Sequence, residues 1–62
     1  MLTRRKLLDL HIGRALYTMY ECKGDTICAY QVFVDGKVAR TFTDLFKCSR
    51  FLLEKWEESK NE

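Results

Sequence analysis

Few side chains in this sequence are able to do chemistry, and their spacing limits what the chain does. There is one histidine, His11, and there are three cysteines, Cys22, Cys28 and Cys48. Cys–His nucleophilic catalysis needs a thiol beside an imidazole and a third group to orient the base. Nothing near His11 in the sequence supplies either, so His11 reads as an ordinary helix residue. Zinc accepts a Cys₃His set, but Cys22 and Cys28 stand six apart rather than at the two-to-four-residue spacing of compact sites, and no metal site is expected. Glu54, Glu57 and Glu58 fall on the wet side of a helix, where carboxylates serve solvation. Gly13, Gly24 and Gly36 are isolated, so no phosphate-cradling loop exists. The chain is therefore expected to be no enzyme and to use no cofactor.

Charge and size narrow the classes further. The 62 residues allow a single domain, 1–62, and the mix of 47% apolar and 32% charged residues without proline is that of a folded domain rather than a disordered tail. A chain this short hides only about 60% of its unfolded surface. The net charge of +2 is too small to demand a polyanionic partner. It is unevenly spread: Arg4, Arg5, Lys6, Arg14 and Lys23 against Asp9 and Glu21 leave residues 1–23 at +3, and the rest of the chain sums to −1. Asp9, His11 and Arg14 interrupt the apolar run after the basic cluster, which is unlike a secretory leader. No stretch approaches the roughly 20 apolar residues that span a bilayer. An odd number of cysteines does not close a disulfide framework. The expected compartment is the cytosol, with all thiols reduced.

These side chains are positioned by a hairpin. Thr26 to Phe42 holds two runs of β-branched and aromatic residues around Asp35-Gly36, a pair that tolerates the positive φ of a two-residue type I′ turn. That turn sets Val34 against Lys37, Phe33 against Val38, Val32 against Ala39, Gln31 against Arg40 and Tyr30 against Thr41. Alternation then gives one face of Ala29, Gln31, Phe33, Val38, Arg40 and Phe42, and another of Cys28, Tyr30, Val32, Val34, Lys37, Ala39 and Thr41. Neither face is cleanly polar, which predicts that both are covered.

The flanking segments complete an α+β fold. Residues 3–12 read as a short N-terminal helix capped by Thr3 and ended by Gly13, although Arg4, Arg5 and Lys6 oppose the helix dipole. Residues 14–22 fit either an extension of that helix or, better, a strand entering a Lys23-Gly24-Asp25 loop, which would put Cys22 opposite Thr26. The antiparallel meander thus has two or three strands. Residues 44–58 predict a C-terminal amphipathic helix, with Thr43 as N-cap, Asp44 in the first turn, and Leu45, Cys48, Leu52 and Trp56 packed on the sheet.

One helix covers one face of a small sheet. With 13% aromatic residues, the uncovered face is expected to meet a protein, either a target or a second copy in a homodimer. The partner-binding candidates are Tyr17, Tyr30, Val32 and Val34. The alternative is a DNA-binding domain that lays its sheet in the major groove with a basic N-terminal arm. It would use Arg4, Arg5, Lys6, Gln31, Lys37 and Arg40. Neither a membrane nor a small-molecule substrate is indicated.

Overall fold

In the computed structural model, which describes residues 2–60, the chain forms β1 (Thr3–Ile12), β2 (Ala15–Lys23), β3 (Cys28–Val34), β4 (Lys37–Phe42) and α1 (Leu45–Lys60). The strands make one antiparallel sheet in the order β1-β2-β3-β4, and α1 packs on one face of it. The fold is α+β, with an antiparallel meander and a C-terminal helix as expected. Its sheet has four strands, because the segment expected as an N-terminal helix is β1.

Two features account for that correction. Leu8, Leu10 and Ile12 alternate with Asp9 and His11, a period of two, and pair with Met19, Tyr17 and Ala15 of β2. Gly13 has φ 63° while Arg14 keeps a negative φ, so Gly13-Arg14 forms a II′-type hairpin turn rather than a helix C-terminus. The sheet also relieves the cation cluster of a helix dipole. Arg4 and Lys6 point to one face and Arg5 to the other, where it meets Glu21 at 3.3 Å.

The β2–β3 connection is longer than the expected three residues. Lys23 pairs with Cys28 and Cys22 with Ala29, and the Gly24 N–H donates to the Ile27 carbonyl at 2.8 Å. Cys22 and Cys28 therefore point to opposite faces. The Asp35-Gly36 turn has φ of 52° and 86°, the I′ pattern, and sets Val34 against Lys37 and Phe33 against Val38 as expected. Beyond it the register slips: Val32 pairs with Arg40, Gln31 with Thr41 and Tyr30 with Phe42. Ala39 is the extra residue of a β-bulge. It turns Arg40 and Phe42 to the face of Val32, and Thr41 to the face of Gln31, the reverse of the regular alternation.

Helix α1 begins one residue later than expected. Asp44, not Thr43, is its N-cap: Asp44 Oδ1 accepts the Phe46 N–H at 2.8 Å, and the Asp44 carbonyl accepts the Cys48 N–H at 3.2 Å. The helix leaves the end of β4 and reaches Gly13 at the far corner, where an added Cβ would stand 3.8 Å from that of Ser59. It thus crosses the sheet on a diagonal. The core is small: Ile12, Met19 and Val32 from the sheet meet Cys48 and Leu52 of α1, with Leu7, Tyr17, Tyr30, Phe42 and Phe51 around them. The Cys48 thiol donates to Met19 Sδ at 3.0 Å. Leu45 and Trp56, expected to pack on the sheet, are instead 46% and 44% exposed. A helix on the diagonal turns Phe51 and Lys55 inward beside Cys48 and Leu52, and leaves Leu45 and Trp56 on its flank.

Candidate interaction surfaces

The inner face of the sheet, the side of Met19 and Val32, is the one α1 occupies. Tyr17 and Tyr30 pack against the core and Val32 is wholly buried, while Val34, paired with Tyr17, is half-buried on the same face. Of these four, Tyr17, Tyr30 and Val32 therefore pack with the chain's own helix. This follows from register, since Val32, opposite Met19, shares the inner face that meets Cys48 and Leu52.

A different surface is left open beside the helix. At 3.6 residues per turn, Leu45, Ser49, Leu53 and Trp56 lie along one flank of α1, with Phe46 beside Ser49. That flank is turned away from β4. The opposite flank faces β4, where Arg40 lies 5.4 Å from the Phe51 ring and lines a hollow with Lys47, Arg50 and Glu54. Phe46 is 80% exposed and Leu53 53%. On the inner face of the edge strand β1, Leu8 and Leu10 are also uncovered. The Arg5–Glu21 ion pair stands at the rim, with Lys23 Nζ 4.0 Å from Glu21.

The outer face carries a second group. Tyr20 and Phe33 meet edge to face at 5.2 Å, and the Arg4 guanidinium sits 4.7 Å above the Tyr20 ring. Lys6, Gln31 and Thr41 share the Tyr20 row. Asp9 accepts the Lys6 ammonium and the Thr18 hydroxyl, both at 2.8 Å. These bonds, the Lys6 contact foremost, hold the Asp9 carboxyl below its ordinary pKa and raise that of Lys6. The nucleic-acid candidates are divided: Arg4, Lys6 and Gln31 lie on the outer face, and Arg5, Lys37 and Arg40 on the inner. The Ala39 bulge accounts for Arg40, and the I′ turn puts Lys37 beside Val34.

The groups considered for catalysis stay apart. His11 and Cys22 lie on the outer face, at opposite ends of the sheet. Cys28 lies on the inner face, where its thiol bonds the Tyr30 hydroxyl at 3.6 Å and pushes the tyrosine pKa up. Cys48 is buried, and burial raises its pKa. Among the described residues no three His, Cys, Asp or Glu side chains converge as metal ligands. No helix among them is long and apolar enough to cross a membrane. Compared with protein-family models, curated proteins and solved structures, the chain finds no match in any of the three.

Sequence reasoning missed the helix flank because Leu45 and Trp56 were assigned inward. Leu53 and Phe46 carried the signal: two large apolar residues outside the inward stripe of one helix widen it beyond what a single face can bury.

Proposed function

We propose that this protein is a small non-catalytic accessory or regulatory factor. It acts by holding another protein chain, a second copy or a distinct target, on the apolar side formed by α1 and β1. The observation that carries this reading is the exposure of Leu45, Phe46, Leu53 and Trp56 along one helix flank and of Leu8 and Leu10 on β1. Isolated exposed leucines are ordinary, but several large apolar side chains exposed on one flank of a helix, with charges at the rim, resemble the anatomy of an interface. Affinity capture from the native cell, comparing the wild type with Leu53→Glu, tests it. The wild type should retain a protein that the variant loses; recovery of the same proteins by both would end the reading.

A nucleic-acid reading rests on Arg4, Lys6 and Gln31 sharing the outer face with Tyr20 and Phe33. Phosphate contacts would give duplex binding a steep salt dependence. Absence of binding at low salt would end this alternative.

A further inference from the structure

We infer that the occupant of the α1–β1 side is a second copy of this chain, related by a two-fold axis that runs beside β1 perpendicular to the sheet. This rests on the reading above that the α1–β1 side is a docking surface, and goes on to name what docks there.

Area is the first argument. A monomer of 7.4 kDa is expected to expose about 4,200 Å². This chain exposes 4889 Å², an excess of about 700 Å², close to the roughly 800 Å² each partner contributes to a stable interface. Its radius of gyration is 12.1 Å, against about 10.6 Å for a compact domain of this length. Each protomer therefore leaves open about as much surface as a dimer closes.

The edge of the sheet is the second. β1 is an edge strand of 10 residues, whereas the other edge, β4, has 6; both carry cations and a bulge, so length is what sets them apart. Very short edges resist pairing, and long ones invite it. The proposed axis sets β1 antiparallel to its copy and keeps both helices on one side of the joined sheets. The C-terminal half of each helix flank, which bears Leu53 and Trp56, is then turned toward its copy above Leu8 and Leu10.

Charge is the third. With the strand centres coincident, Lys6 of one copy stands opposite Asp9 of the other, and Arg4 opposite His11. Lys6 and Asp9 share the outer face because the strand bulges between Lys6 and Leu8. That bulge lies at the strand's midpoint, so the two copies' bulges coincide at the axis. The cations Arg4 and Arg5 are carried to opposite ends, and Lys6 and Asp9 of both copies alternate in sign.

Sedimentation equilibrium on the full chain tests this, with Leu53→Glu on the helix flank and Leu8→Glu on β1, and Val38→Glu on the outer face as a control. The wild type and Val38→Glu should be dimers at micromolar concentration. Leu53→Glu and Leu8→Glu should dimerise about a hundredfold or more weakly, since each copy would bury an unpaired carboxylate. Dilution of the wild type should red-shift the emission of Trp56, the sole tryptophan, which needs no variant to fold. A wild type that stays monomeric at high micromolar concentration overturns the inference, even where Leu53→Glu abolishes capture of a different protein and the docking surface stands. Loss of the dimer in Val38→Glu alone also overturns it.

Discussion

Neighbouring leucines on α1 give the sharpest separation between what folds the chain and what the chain holds. Leu52 is 7% exposed and Leu53 is 53% exposed. Truncating Leu52 to alanine removes side-chain carbons from a core of five buried residues; the cost for such sites is about 2–5 kcal/mol, and about 3 is expected here. A chain of this length is stable by about 3–9 kcal/mol, so Leu52→Ala removes a third of that or more. Leu53→Ala should cost the isolated protomer no more than about 0.5 kcal/mol. In the dimer, the half of Leu53 that solvent now reaches is covered, worth about 1 kcal/mol per copy at about 0.8 kcal/mol per buried CH₂. Two copies make about 2 kcal/mol, roughly thirtyfold in the dissociation constant. The assay is urea denaturation followed by far-UV circular dichroism, from low to high micromolar protein. Leu52→Ala should be destabilised at every concentration, and Leu53→Ala only at the upper end. Equal costs for the two would refute the packing of α1. A concentration-independent Leu53→Ala would refute the burial of its flank by a second copy.

Three further outcomes follow from local geometry. The native thiols should react with a disulfide reagent in the order of their exposure, Cys28 first, Cys22 next, and Cys48 only on unfolding, since its buried thiol resists ionisation; labelling of Cys48 in the folded protein, read by mass spectrometry, would count against the core. Asp35→Ala should lose about 1–2 kcal/mol, because Asp35 sits at positive φ and its Oδ1 accepts the Leu16 N–H at 2.9 Å, whereas Asp35→Asn keeps the turn and should melt close to wild type. The Asp9 carboxyl has a folded pKa below its unfolded value, so its contribution is present above the ordinary carboxylate pKa and is lost as pH falls through the folded one; Asp9→Asn should flatten the acid limb of the stability–pH profile, and an unchanged limb would contradict the Lys6–Asp9–Thr18 contacts.

Local signals in the sequence carried different amounts of the fold. Asp35-Gly36 specified its turn because few residue pairs tolerate two successive positive φ values, and the helix from residue 45 onward followed from its 3.6-residue pattern. Residues 3–12 offered two consistent answers. Thr3 and Gly13 are helix punctuation, while Leu8-Asp9-Leu10-His11-Ile12 alternates like a strand; pairing with β2 decided between them, and that pairing is not local. The bulges were illegible for a related reason. Nothing about Leu7 or Ala39 marks an extra residue. The bulge at Ala39 gives up regular ladder bonds, and its return comes from elsewhere: it brings Phe42 to 5.7 Å from Phe51 and Arg40 over both rings. One inserted residue reversed the faces of Arg40, Thr41 and Phe42, and so separated Arg40 from Gln31, which a regular hairpin would have joined.

The diagonal of α1 gives the strongest reason to regard the exposed apolar side as used. A single helix laid corner to corner on a four-stranded sheet leaves two corners uncovered, and a chain selected only to fold alone would make both compatible with water. Here one corner is polar: Arg40, Lys47, Arg50 and Glu54 line it at β4, and Arg14, Asp35 and Glu58 line it at the hairpin turns. The other presents Leu45, Leu53, Trp56, Leu8 and Leu10. The helix supplies both flanks from one stretch of 16 residues, so composition and helix propensity are shared between them. What differs is the neighbour each flank meets. Charged residues on one side and leucines on the other are what an element needs when water lies along one flank and another protein surface along the other.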